Sequence, residues 1–388
     1  MRDEQDQIDE LLCWRSAFPI LDNSTYLISH SMGAMPRAAT DWLQKYTQGW
    51  QQEGSAVWES WMGFFEETAN LLGQFIHAEP GSIVMHQNVS ALFNAALSCF
   101  DFSGSRNKIL YSELTFPTLR YNIQTRARLG AQPLEIASPD GIRQPAERFI
   151  DAIDDTTLLV VLDHGLYRSG AQIDIEPIIR AAHQHGADVI VDAYQTVGVV
   201  PIDVQAWQAD FVVAGSHKWL CGGPGAAFLY VRPDQLQARQ PQITGWFSQE
   251  QPFAFSDEVD YAHTARRFLG GTPGMSALYA ARAGHEMLLK VGVEQIREKN
   301  VRLCERLIAG AQERGLHINT PLDPAERGGL VCIDFDGADK AEEELVRRRV
   351  FVDYRPKCGI RVSPHFYTQE DEIDRFFEEI DQLNTVLK

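Results

Sequence analysis

Apolar and polar positions change rhythm along the chain. Between residues 108 and 231, short and nearly continuous apolar runs recur: KILYS (108–112), TLLVVLDHG (157–165), DVIVDAYQ (188–195), DFVVAGSHK (210–218) and AAFLYV (226–231). Runs this short and this apolar predict strands buried on both faces. Helical spacing lies between several of them, as in IEPIIRAAHQHG (175–186). Strand alternating with helix predicts an α/β layer around a mainly parallel sheet. From about Gly274 the pattern turns helical over 276–315. Two strands follow, GGLVCIDFDG (328–337) and GIRVSPHFY (359–367), and then a helix over 370–388. That ending predicts a smaller α+β domain.

Composition narrows the function. The 388 residues suggest two domains at roughly 100 to 200 residues each, and 44% hydrophobic content supplies sizeable cores. With 35 basic and 53 acidic side chains the net charge is −18, which argues against nucleic acid or an anionic membrane surface as partner and leaves a small molecule. Six scattered cysteines form no CxxC pair and meet no histidine at metal-ligand spacing, which excludes the common zinc frameworks. The acidic start and the absence of a long apolar stretch predict a soluble, reduced, cytoplasmic protein.

The chemistry concentrates in VDAYQTVGVVPIDVQAWQADFVVAGSHKWLCGGPG (191–225). Asp192 ends one apolar run and Lys218 another, and ends of parallel strands are where open α/β sheets bind ligands. A lysine desolvated there loses its proton near neutral pH and can form a Schiff base. An aspartate there can hold a pyridinium nitrogen and keep the ring an electron sink.

Asp-Ala-x-Gln-x-x-Gly, then Ser-His-Lys, then Gly-Gly-Pro-Gly resembles the class V group of fold-type I pyridoxal phosphate (PLP) enzymes, which includes aminotransferases, cysteine desulfurases and kynureninases. The resemblance implies a large PLP-binding domain with a mainly parallel seven-stranded sheet over 31–280. It also implies a small α+β domain built from 1–30 and 281–388. By that resemblance Lys218 carries the cofactor and shuttles protons, Asp192 pairs with the pyridine nitrogen and Gln195 approaches the phenolic oxygen. Ser216 and His217 contact the phosphate, together with Asn88 and the Val89 amide in HQNVSALFNAAL (86–97), where a helix start cradles anions. Phe116 in SELTFPT (112–118) stacks on the ring, and His164 sits at the level of the cofactor. Thr272, in RRFLGGTPGMSALYAA (266–281), reaches the phosphate of the neighbouring subunit, so a homodimer is implied.

Within the group, several segments resemble the kynureninase branch: YLISHSMGAMPRAA (26–39), FPT (116–118), DHGLYRSG (163–170), TGWF (244–247) and DYRPKCGIRVSPHFY (353–367). The resemblance makes Arg361 the fork for the substrate α-carboxylate and places Trp246 at the substrate. Departures cluster around the cofactor and the substrate. Leu119, Leu166, Gln195 and His217 stand where that branch has Asp, Asn, His and Tyr, and Ser248-Gln249 replaces its Gly-His. Cys358, three residues before Arg361, has little freedom to act as a desulfurase thiol. The expected activity is Cβ–Cγ or Cβ–X cleavage of an amino acid. Transamination, a C–S lyase reaction and a PLP-fold sensor without turnover are the alternatives.

Overall fold

The computed structural model describes residues 9–386. Seven strands form the central sheet: β1 (Ile83–His86), β2 (Lys108–Ser112), β3 (Gln132–Ile136), β4 (Thr157–Asp163), β5 (Asp188–Asp192), β6 (Phe211–Gly215) and β7 (Ala227–Val231). Their order is β1-β7-β6-β5-β4-β2-β3. β7 runs antiparallel to both neighbours, and the other adjacent pairs are parallel. The central strands β5, β6 and β7 are buried at every position, which is why their sequences read as unbroken apolar runs.

Helices α1 (Ala38–Glu53), α2 (Trp58–Gly73), α3 (Val89–Leu97), α4 (Pro117–Thr125) and α5 (Ile175–Gln184) lie along this part of the chain. α5 shows how its sequence fixes its orientation: Ile175, Ile178, Ile179 and Ala182 recur at helical spacing and are buried, while Glu176 and Arg180 between them face solvent. One hydrophobic core gathers the sheet and these helices. A second core joins Leu27 to residues 303–383. Around it lie a four-stranded sheet, helices α8 (Ala338–Arg347) and α9 (Glu370–Val386), and the outer part of α7 (Val293–Glu313). That sheet holds β8 (His317–Ile318), β9 (Val331–Asp334), β10 (Asp353–Arg355) and β11 (Gly359–Val362) in the order β10-β11-β9-β8. Among the described residues, no helix is long and apolar enough to cross a membrane.

Two expectations shift. The helical pattern over 276–315 is two helices, α6 (Met275–Val291) and α7, because Gly292 adopts φ 88°, a backbone setting that ends one helix before the next begins. The strand expected over 359–367 stops at Val362, since Pro364 lacks a ladder N–H and His365 to Thr368 close a turn. The N-terminal segment is pinned at long range. Thr25–Tyr26 pairs in parallel with Val350–Phe351, and Ile28 bridges to Ser363.

Candidate active site

Parallel register brings two carboxylates side by side. Asp163 and Asp192 are the last residues of β4 and β5 and are register partners at the carboxyl end of the sheet. Both open onto a cavity of about 190 Å³ that is also lined by Asn88, Val89, Ser90, Phe116, Tyr167, Tyr194, Gln195, His217 and Lys218. The Lys218 amine lies 4.5 Å from the centre of the Tyr194 ring and 5.6 Å from that of Phe116. Burial lowers its pKa from 10.5 to about 8, against the pull of Asp192 and with help from Arg361. A lysine so placed is an available nucleophile near neutral pH. Burial raises Asp192 to about 6, partly offset by the Tyr194 N–H at 2.8 Å and by Lys218.

The walls follow from local sequence rules. Asn88 caps α3, its Oδ1 accepting from the Ala91 N–H at 2.9 Å, so the helix starts at the cavity wall with Val89 and Ser90. N–H groups of a first turn have no intrahelical partner and favour anions. Pro117 opens α4, and its fixed backbone leaves Phe116 just before the helix, edge-on to Tyr167 at 5.1 Å. The Tyr194 hydroxyl meets His217 Nδ1 at 2.7 Å, and burial holds that imidazole neutral, at about 4. Gly33 N–H donates to the His217 carbonyl at 2.8 Å, so the N-terminal segment lies across the lysine turn.

Arg361, on β11, stands near enough to depress the Lys218 pKa. Its Nε and Nη2 grip Asp353, and Nη1 donates to the Tyr167 carbonyl at 2.7 Å. A guanidinium has five N–H donors, so among the described residues one remains on each terminal nitrogen. Asp353 is held ionised although burial opposes it, by His30 at 2.9 Å and by Arg361. His30 in turn accepts at its carbonyl from Gln195 Nε2, at 3.2 Å.

The structure therefore brings Asn88, Val89, Phe116, Asp192, Gln195, His217 and Lys218 together at one cavity, keeps Arg361 close behind Lys218, and separates Ser216, His164, Trp246 and Thr272. Ser216 turns its hydroxyl to buried His285, at 2.8 Å, and does not line the cavity. His164 also points away: its Nδ1 meets Thr196 Oγ1 at 2.9 Å and its ring abuts Trp207, because alternation along β4 gives the cavity to Asp163. Trp246 packs among Trp58, Phe253 and Phe255. Thr272 borders a different groove, with Tyr46, Trp50, Trp58 and Trp61. Sequence reasoning passed over Asp163, Ser90 and His30. The available signal for Asp163 was a carboxylate closing the apolar run 157–163, as Asp192 closes the run 188–192.

A buried lysine beside paired carboxylates, aromatic faces and a helix start defines a site for an anionic, ring-bearing carbonyl cofactor. Its donors fit PLP, and Gln195 Oε1, buried without a partner among the described residues, marks an unmet polar position in the same wall. The family Aminotransferase class-V matches residues 25–376, and the chain belongs to it. It is a PLP-dependent enzyme with a fold-type I architecture. The chain is 33% identical over 371 residues to the uncharacterized aminotransferase YcbU of Bacillus subtilis, covering 95% of this chain and 96% of that one. It is 29% identical over 386 residues to a kynureninase of Geobacillus thermodenitrificans, covering 95% and 90%. Among solved structures, an apo cysteine desulfurase from Thermococcus onnurineus superposes with TM-score 0.85 at 21% identity over 99% of this chain and 98% of that one. The cystine C–S lyase C-DES, with its product cysteine persulfide, superposes with TM-score 0.85 at 22% identity over 93% and 98%.

Proposed function

We propose that the enzyme cleaves an α-amino acid at or beyond Cβ, in the manner of kynureninases. The observation that carries this reading is the position of Phe116. The aromatic residue of the Phe-Pro-Thr turn presents its ring to the cavity beside the Lys218 amine. Similarity to kynureninases over nearly the whole chain supports it. None of the cavity-lining residues is a cysteine, and Cys358 is buried against Cys332, which disfavours desulfurase chemistry on an enzyme thiol.

The residues divide the work. Asn88, the Val89 amide and His217 would hold the cofactor phosphate, Gln195 the phenolic oxygen and Asp192 the ring nitrogen. When bound, PLP supplies an electron sink for charge developing at the substrate Cα. Arg361 offers its remaining N–H groups to the α-carboxylate, and its bond to Asp353 fixes the plane of that fork. Lys218, with its lowered pKa, takes the proton from Cα and returns it. Phe116, Tyr194 and Leu119 line the space around that proton with largely apolar surface.

The 31–280 and 1–30 plus 281–388 division belongs to this proposal, and so does a cytoplasmic homodimer in which Thr272 completes the neighbour's site. The separate groove that Thr272 borders supports a role outside its own cavity. Transamination is the second reading, favoured by the 33% identity to a protein named as an aminotransferase. The test incubates the holoenzyme with kynurenine, 3-hydroxykynurenine, cysteine conjugates and common amino acids, with and without a 2-oxo acid, and identifies products by mass. Cleaved products without oxo acid are expected. Turnover only when a 2-oxo acid is present would replace cleavage by transamination.

A further inference from the structure

The cavity holds two carboxyl groups where the ring nitrogen of the cofactor requires one. Asp163 is 2% exposed and Asp192 6% exposed, and as register partners on adjacent parallel strands they project to the same face. Their surroundings differ. Asp192 has Lys218 nearby, whereas Asp163 forms no ion pair among the described residues. Asp163 instead accepts from the Thr115 hydroxyl at 2.6 Å and from the Phe116 N–H at 3.4 Å, both in the turn that presents the Phe116 ring.

Charge counting decides what this pair can be. A bound pyridinium supplies one positive charge, and one carboxylate balances it. A second buried carboxylate a strand spacing away would face like charge in a low-dielectric site, which disfavours ionising both. Asp192 from β5 and the uncharged Thr115 and Phe116 donors from the turn after β2 act on Asp163 directly, and the other titratable groups lining the cavity are Tyr167, Tyr194, His217 and Lys218.

We propose that Asp163 is a positioning residue that stays protonated beside ionised Asp192, so that the pair carries a single negative charge while Asp163 anchors the Thr115–Phe116 turn. Burial and the neighbouring Asp192 push Asp163 well above the usual carboxylate range, against the Thr115 and Phe116 hydrogen bonds, which favour its charged form. The role does not depend on which bond the enzyme breaks. It rests only on PLP occupying this cavity.

Two variants separate charge from packing. Asp163→Asn keeps the shape and an acceptor for Thr115 and has the charge of a protonated Asp163. Asp163→Ala removes the anchor. The holoenzymes would be titrated by the visible absorption of bound PLP, and the protonated-carboxyl C=O stretch would be followed by infrared difference spectroscopy. We expect a C=O band in the wild type at pH 7 that vanishes on raising the pH and is missing in Asp163→Asn. The spectral midpoint of bound PLP in Asp163→Asn should move by less than about threefold in proton concentration, whereas removing a true negative charge would shift it by tenfold or more toward lower pH. Asp163→Ala should bind PLP at least about tenfold more weakly. A tenfold midpoint shift in Asp163→Asn, or no C=O band in the wild type, overturns the proposal alone. A wild-type protein that binds no PLP overturns the cofactor placement and the proposal with it.

Discussion

Gly33 lies so close to Lys218 that a Cβ built on it would stand 2.1 Å from the lysine carbonyl oxygen. No side chain fits there without moving backbone, and the segment that would move donates to His217. Gly33→Ala is therefore expected to cost about 1–3 kcal/mol and to weaken PLP binding. Gly63, inside α2 with open space around its Cβ position, is the control: Gly63→Ala should stabilise by roughly 0.5–1 kcal/mol. Thermal unfolding and PLP titration by fluorescence check both.

Lys218 is the only lysine lining the cavity among the described residues, so borohydride reduction of the holoenzyme should fix PLP on the peptide that contains it. Lys218→Ala should lose both the label and the visible band, with a fold unchanged by circular dichroism. A label on any other lysine would contradict the assignment.

The lowered pKa of Lys218 sets the pH dependence of cofactor uptake. With a value of about 8 rather than 10.5, roughly one amine in ten is already neutral at pH 7. The rate of PLP attachment to apoenzyme should rise as pH increases through 8 and level off above it. A rate still climbing toward pH 10 would mean an unperturbed lysine.

Arg361→Lys replaces a planar fork by a point charge that cannot span Asp353 and the substrate together. The expected result is a rise in KM of at least about tenfold with the PLP band retained, consistent with about 1.5–3 kcal/mol for a charged hydrogen bond. Steady-state kinetics and absorption on the same preparation decide it.

His164 faces Thr196 and Trp207 rather than the cavity, and burial with the nearby Arg297 charge keeps it neutral, at about 3. His164→Asn should leave the PLP spectrum unchanged and lower stability by about 1–2 kcal/mol. A shifted absorption maximum would place the ring at the cofactor after all.

Much of this was legible in the residues because the physics was local. Apolar runs marked β2 and β4 to β7, Asp192 and Lys218 stood at or just beyond strand ends, and Asn88 signalled a helix start. Side-chain direction was less legible. Ser216 and His164 are each one residue from a cavity wall, and a strand or tight turn sends neighbours to opposite sides. The pairing of Asp163 with Asp192 depends on strand register, and the tie between His30 and Asp353 spans the chain, so neither has a signature in any short window.

That last distance has a consequence for how the enzyme is made. Residues 25–33 emerge well before residues 349–367, yet many of their partners lie there, Arg349, Val350, Phe351, Asp353, Ser363 and Tyr367 among them. Since domains fold as their residues become available, the sheet can assemble while residues 25–33 still wait. The turn that carries Lys218 is thus covered by a segment that is itself held by residues made more than 300 positions later, and a ribosome that stops short of residue 350 leaves that cover without its anchors.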